Sequence, residues 1–267
     1  MAASSSDRMR FALSIAEEAA GLALGYYGDR ARLGVTMKGA QDWLTEADGA
    51  VEKLLRKRVA DAWPGDGFLG EEGGGKSADR LWVVDPIDGT ANFARGDLLW
   101  CISIGYLERG RPLLGVIRAP VIEETFAAER GKGATRNGMP IRVADTADMR
   151  MAAIEAGWST RRPFDDYVQL VNRAMAMGAS VKRSASGALG LCWVACGRTD
   201  GYLERHINSW DVAAGLVIAH EAGAVTNDFF TGTALETGNP ILCATPAIAP
   251  VLAGLMGLDP AKLTNGD

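Results

Sequence analysis

Histidine is scarce in this 267-residue chain and paired cysteine is missing. With only His206 and His220 available, no Ser-His or Cys-His nucleophile pair can be picked out, and both histidines are expected to be structural. Cys101, Cys192, Cys196 and Cys243 form no CxxC pair; Cys192 and Cys196, one helical turn apart, read as small core residues. No apolar run approaches the roughly 18 residues of a membrane span. The polar start MAASSSDRMR, followed by a stretch broken by Glu17 and Glu18, is not a secretory segment. A reducing cytoplasm and no membrane partner are therefore expected. Positive charge is also short, with 28 Lys and Arg against 33 Asp and Glu and a net charge of −5. That balance argues against a nucleic-acid partner, whose phosphates need clustered cations. An acidic protein can still hold a phosphate through metals or backbone N–H groups.

What remains is an ordinary globular composition, 48% hydrophobic and 23% charged. Apolar spacing predicts a helix from about Asp7 to Tyr27 and a second from Thr45 to just before Pro64-Gly65. The runs LWVV, LLWCISIGYL, PLLGVIRAP and ETFAAE predict short, mainly antiparallel strands, and Asn137-Gly138 a hairpin turn. Beyond residue 150 the pattern alternates. MAAIEAG, DGYLE and PILCAT read as strands; Phe164 to Met177, SGALGLCWVACG, WDVAAGLVIAHEAGA and Ala247 to Leu255 read as helices. The expected fold is α+β, a layered α-β-α-β-α sandwich of two mixed, largely antiparallel sheets with helices between and outside. It is expected as one domain, with an N-terminal lobe over about 8–145 and a C-terminal lobe over about 150–256.

Acids stand at the ends of these elements. Glu71 and Glu72 follow the strand GFL, Asp85 ends LWVV, Asp88 comes three residues later, and Asp211 opens a helix. Each has a local explanation taken alone: DPIDG is turn chemistry, Thr45-Glu46-Ala47-Asp48 fits a capping box, and Asp211 suits a helix first turn. Together, carboxylates converging without cationic partners repel, and a divalent cation is the usual compensation. Oxygen-only ligands suit Mg²⁺. Within LWVVDPIDGTANF (residues 81–93), Asp85 would bridge two ions, the Ile87 carbonyl would face one, and Asp88 would return to the same site. Gly89 would let the backbone approach a ligand, and Thr90 would cap a helix whose N–H groups bind an anion.

GEE at 70–72, WVVDPIDGTANF at 82–93 and WDVAAGLVIAHEAGA at 210–224, preceded by DWLTEAD at 42–48, resemble the inositol monophosphatase family in identity and order. The likeness runs from about residue 8 to 256. It implies an Mg²⁺-dependent phosphomonoesterase with two or three ions per active site. By the resemblance, Glu71, Asp85 and the Ile87 carbonyl hold the first ion, Asp85, Asp88 and Asp211 the second, and a weaker third lies by Glu71. Thr90 and Glu71 would orient the attacking water, backed by Asp42, Thr45 and Asp48. The Gly89 and Thr90 N–H groups would take the phosphate, while Ala185-Ser186-Gly187 and Glu204 would contact the alcohol. Asp88 and Asp211 also fall within substrate reach.

The implied reaction is hydrolysis of inositol 1-phosphate or a similar small polyol phosphate, by a homodimer. Branches of the family acting on histidinol phosphate, fructose 1,6-bisphosphate or 3′-phosphoadenosine 5′-phosphate are alternatives. So is a regulatory protein contacting transcription or ribosome-assembly machinery. The family's Asn-Phe-x-His-Gly-x-Pro appears here as Asn92-Phe93-Ala94-Arg95-Gly96-Asp97-Leu98, which places substrate choice at Arg95 and at 185–187.

Overall fold

The computed structural model describes residues 5–29, 33–39, 42–75 and 77–266. A small hairpin of β1 (Thr36–Gly39) and β2 (Asp42–Leu44) follows helix α1 (Ser5–Gly28) and precedes α2 (Glu46–Ala62). An eight-stranded sheet comes next, from β3 (Gly67–Gly70), β4 (Gly74–Gly75), β5 (Arg80–Asp88), β6 (Cys101–Glu108), β7 (Arg111–Ala119), β8 (Glu124–Glu129), β9 (Ala134–Arg136) and β10 (Met139–Pro140). The short helix α3 (Thr90–Arg95) interrupts it after β5. Its order is β10-β9-β8-β7-β6-β5-β3-β4, antiparallel except where β3 runs parallel to β5. The hairpin turn stands at Asn137-Gly138, both with positive φ, as the type I′ geometry requires.

A six-stranded mixed sheet forms from β11 (Ala153–Ala156), β12 (Ser180–Lys182), β13 (Gly201–Ile207), β14 (Val225–Asn227), β15 (Asn239–Ala244) and β16 (Leu263–Thr264), in the order β12-β11-β13-β15-β14-β16. Its helices are α4 (Phe164–Ala176), α5 (Gly187–Ala195), α6 (Ser209–Glu221), α7 (Ala234–Thr237) and α8 (Ala249–Met256). Helices α1 and α2 cover one face of the first sheet. Helices α5 and α6 lie between the sheets, and α4 and α8 close the far side. The result is the expected α-β-α-β-α sandwich. Among the described residues no helix is long and apolar enough to cross a membrane.

The β5 strand shows how the layers are specified. Trp82 and Val84 pack with Ile15, Val51 and Leu55 on the α1/α2 side. Leu81 and Val83 face Ala213 of α6. Strand alternation demands this split, and fully buried residues on both faces explain the continuous apolar run. Helix α6 approaches the sheet over Gly105 and Gly115, which pair across β6 and β7. A Cβ at Gly115 would lie 2.2 Å from the Ala214 carbonyl oxygen, so only glycine permits that approach.

Candidate active site

The strand does not stop at Val84, as the LWVV run suggests, but continues through Pro86 to Asp88. Asp85 pairs with Ser103 and Asp88 with Cys101, so Pro86 and Ile87 on β5 stand against Ile102 alone on β6. This is a β-bulge, and it decides the site. In a regular strand Asp85 and Asp88 would point to opposite faces. The extra residue puts Ile87 into the α1/α2 core and brings Asp88 onto the same side as Asp85. Pro86, which has no N–H to pair, sits in the bulge.

The Asp85, Asp88 and Asp211 carboxylates each offer an oxygen, all within 4.8 Å of one another. Asp85 is buried and accepts from the Ile87 N–H at 2.9 Å. Asp211, in the first turn of α6, accepts from the Asn208 N–H at 2.9 Å, closing a capping box. Asp88 reaches the N-terminus of α5, accepting from the Ser186 hydroxyl at 2.5 Å and the Ala188 N–H at 2.8 Å. Burial, then the Glu71, Asp88 and Asp211 charges, push Asp85 well above the usual carboxylate range. Burial raises Asp88 too, against the pull of its Ser186 and α5 donors. Asp211 is pushed up to about 7 by burial and by Asp88. Buried acids held this close, with oxygen donors alone, fit a hard divalent cation.

Around this cluster stand the remaining expected residues. Glu71 leaves β3 next to β5, within electrostatic reach of Asp85. The loop that carries it is held by Glu52, whose carboxylate accepts from the Glu72 and Gly73 N–H groups at 2.8 and 2.9 Å. Thr45 caps α2, giving its N–H and hydroxyl to Asp48 at 2.8 and 2.6 Å. Burial pushes Asp48 up to about 6. Asp42 lies on β2, and its side chain is outside the described residues.

Thr90 differs from expectation. Gly89, at φ 91, takes the cap position of α3, where a Cβ would meet the Leu99 carbonyl oxygen at 2.9 Å. Thr90 is the first helical residue, and its hydroxyl faces the Ile87 carbonyl at 3.0 Å and Asp48 at 3.2 Å.

An open cavity of about 150 Å³ adjoins the carboxylates, lined by Asp88, Asp211, Glu204, Ala185, Ser186 and Gly187 among others. Glu204 is buried, accepts from the Tyr202 hydroxyl at 2.6 Å, and is pushed up to about 8 by burial. Arg183 lines this cavity and two adjoining hollows, one shared with Glu71 and Arg161, the other with Gly89, Thr90 and Arg95. The Arg95 guanidinium stacks 5.0 Å from the Trp43 ring centroid. Asn92 spends its amide on the Leu99 and Ser184 carbonyls, tying α3 to the segment before α5.

Sequence reasoning missed Glu52, Trp43 and the donor role of Ser186. Glu52 left a signal: four residues after Asp48, it lies on the buried face of α2, where an unpaired acid is out of place.

The chain is 41% identical to Nus factor SuhB of Xylella fastidiosa over 74% of this chain and 73% of the relative. It is 36% identical to inositol-1-monophosphatase of Rhizobium meliloti over 85% and 87%. Among solved structures, extragenic suppressor protein suhB from Bartonella henselae superimposes with a TM-score of 0.87 at 31% identity, covering 94% of this chain and 98% of that one. The model of the inositol monophosphatase family matches residues 5–256. With a family match over nearly the whole chain and a solved relative of the same fold, the chain belongs to the inositol monophosphatase family.

Proposed function

We propose that the chain hydrolyses a small phosphate monoester, inositol 1-phosphate first among candidates, with Mg²⁺ held by Asp85, Asp88, Asp211, Glu71 and the Ile87 carbonyl. The observation that carries this reading is the meeting of three carboxylate oxygens within 4.8 Å beside an arginine-lined cleft. When bound, the cations neutralise phosphoryl charge and acidify the attacking water.

The chain's own residues do the rest. The Thr90 hydroxyl directs its proton toward Asp48 or the Ile87 carbonyl, leaving its lone pairs to accept from the attacking water. Thr45 holds Asp48 for that task, and Glu71 orients the water from the other side. Backbone N–H groups of Gly89 and Thr90 receive the phosphoryl oxygens. Ala185, Ser186, Gly187 and Glu204 meet the alcohol, with Arg95, Arg161 and Arg183 drawing the anion into the cleft. Asp85 and Asp88 come from the first sheet and Asp211 from α6, so the segments on either side of residue 150 act as one catalytic unit.

The test is phosphate release from inositol 1-phosphate, histidinol phosphate, fructose 1,6-bisphosphate and 3′-phosphoadenosine 5′-phosphate, with Mg²⁺ and with EDTA. Turnover without metal, or full activity in Asp88→Asn, would overturn the reading. The ranking of the four esters assigns the substrate.

A second reading draws on the names of relatives, one a Nus factor and one an extragenic suppressor. On it the chain also serves as a regulatory binding protein. Asp85→Asn separates the two: a phenotype of the deletion strain rescued by the inactive variant favours a role beyond hydrolysis.

A further inference from the structure

A cavity larger than the one beside the carboxylates lies elsewhere on the molecule. About 390 Å³ of space opens along the C-terminal half of α6, between the β6–β7 turn, the segment after β14 and the chain's last described residues. Its size falls within the range of small-molecule sites. Asp211 and His220 are nine residues apart on α6, so roughly 14 Å of helix separates this cavity from the carboxylate cluster.

The lining has a definite chemistry. Arg109 comes from the β6–β7 turn, Arg111 from the start of β7, Arg130 from the turn after β8, and Lys262 from the short 3₁₀ turn after α8. Among the described lining residues Asp228 is the only acid. Four cations against one acid, in a chain with a net charge of −5, mark a local reversal of sign. The apolar part of the lining is equally specific. Phe229 is buried and Phe230 half-buried, packed edge to face at 5.1 Å, so Phe230 is braced against the core while still bordering the cavity. Nearby, His220 and Thr226 add polar groups that are hydrogen-bonded to each other at 2.8 Å.

We infer that this cavity binds a nucleoside phosphate, its phosphates among Arg109, Arg111, Arg130 and Lys262 and its base against Phe230. A phosphate alone would use the basic lining and not Phe230; an uncharged ring would use Phe230 and not the basic lining. Only a ligand with both parts satisfies both. The cavity walls come from the β6–β7 turn, the start of β7, α6, and the segments around β14 and β16. Helix α6 lines this cavity with Leu216, Val217 and His220 and carries Asp211 at its other end, so a ligand here touches an element that also builds the carboxylate site.

The experiment is calorimetric titration of the full-length protein in Mg²⁺ with ADP, pyrophosphate and adenosine, repeated on Arg111→Glu, Lys262→Glu and Phe230→Leu. Expected are ADP binding tighter than either fragment, and about tenfold or greater weakening in each charge reversal. Phe230→Leu should weaken ADP and spare pyrophosphate. Phosphate release without ADP should be unchanged in Arg111→Glu and Lys262→Glu, which separates a failure here from a failure of the catalytic reading. Absence of ADP binding overturns the inference. So does ADP binding that survives both charge reversals, which would place the nucleotide at the carboxylate cleft instead.

Discussion

The Ser186 hydroxyl donates to the Asp88 carboxylate across 98 residues of sequence, at 2.5 Å. The same hydroxyl accepts from the Leu189 N–H and so caps α5. One atom therefore sets the start of a helix and the aim of a candidate metal ligand. Ser186→Ala removes both contacts. The Mg²⁺ concentration for half-maximal phosphate release should rise by about tenfold or more, as when outer partners of metal ligands are lost. The lost cap should cost about 1 kcal/mol of stability. An unchanged Mg²⁺ dependence would show that the hydroxyl does not orient Asp88 for metal.

Glu52 plays a comparable part for Glu71. Its two oxygens receive the Glu72 and Gly73 N–H groups, and Arg56 adds an ion pair at 2.8 Å. Glu52→Gln keeps the shape but replaces one acceptor oxygen by a donor facing another donor. Loss of a charged hydrogen bond should cost about 1.5–3 kcal/mol, visible as a lower melting temperature. Phosphate release should fall with it, because the loop after β3 loses its anchor. A variant with native melting and native activity removes Glu52 from this role.

Asp85 sits buried among Asp88, Asp211 and Glu71. Without metal these carboxylates repel, so Asp85→Asn should melt at a higher temperature than the wild type in EDTA. In saturating Mg²⁺ the order should reverse. The wild type gains about 2.7 kcal/mol at a hundredfold excess over Kd, and the variant gains little. Melting curves in the two conditions check it; equal Mg²⁺ stabilisation of both proteins would take Asp85 out of the ligand set.

Two glycines should respond in opposite directions. Gly115→Ala forces a methyl toward the Ala214 backbone, where neither partner can yield cheaply. A loss of about 1–3 kcal/mol or more is expected. Gly254, on the exposed side of α8, has nothing within 4 Å of a built Cβ. Gly254→Ala should stabilise by about 0.5–1 kcal/mol through helix propensity. Denaturant titration of both variants measures the difference.

Much of the molecule was legible in the amino-acid order. The 3.6-residue spacing of α1 and α2, the turn at Asn137-Gly138, and the alternation of elements after residue 150 are local signals, because each depends on near neighbours along the chain. The identity of the acids was also legible, since Glu71, Asp85, Asp88 and Asp211 stand at element ends in a recognisable order. The strand pairing that makes them converge was not. Asp85 and Asp88 share a face because β5 gains one residue against β6, a property of strand pairing that no single strand carries. Thr90 gave up the cap to Gly89 because the backbone there must pass the Leu99 carbonyl. Asn92 ties Leu99 to Ser184, Glu52 holds the loop after Glu71, and the cations along α6 gather from three distant turns. Periodicity and turn chemistry determine which elements form. The stacking of five layers decides which side chains meet, because those contacts join residues 20 to 100 positions apart.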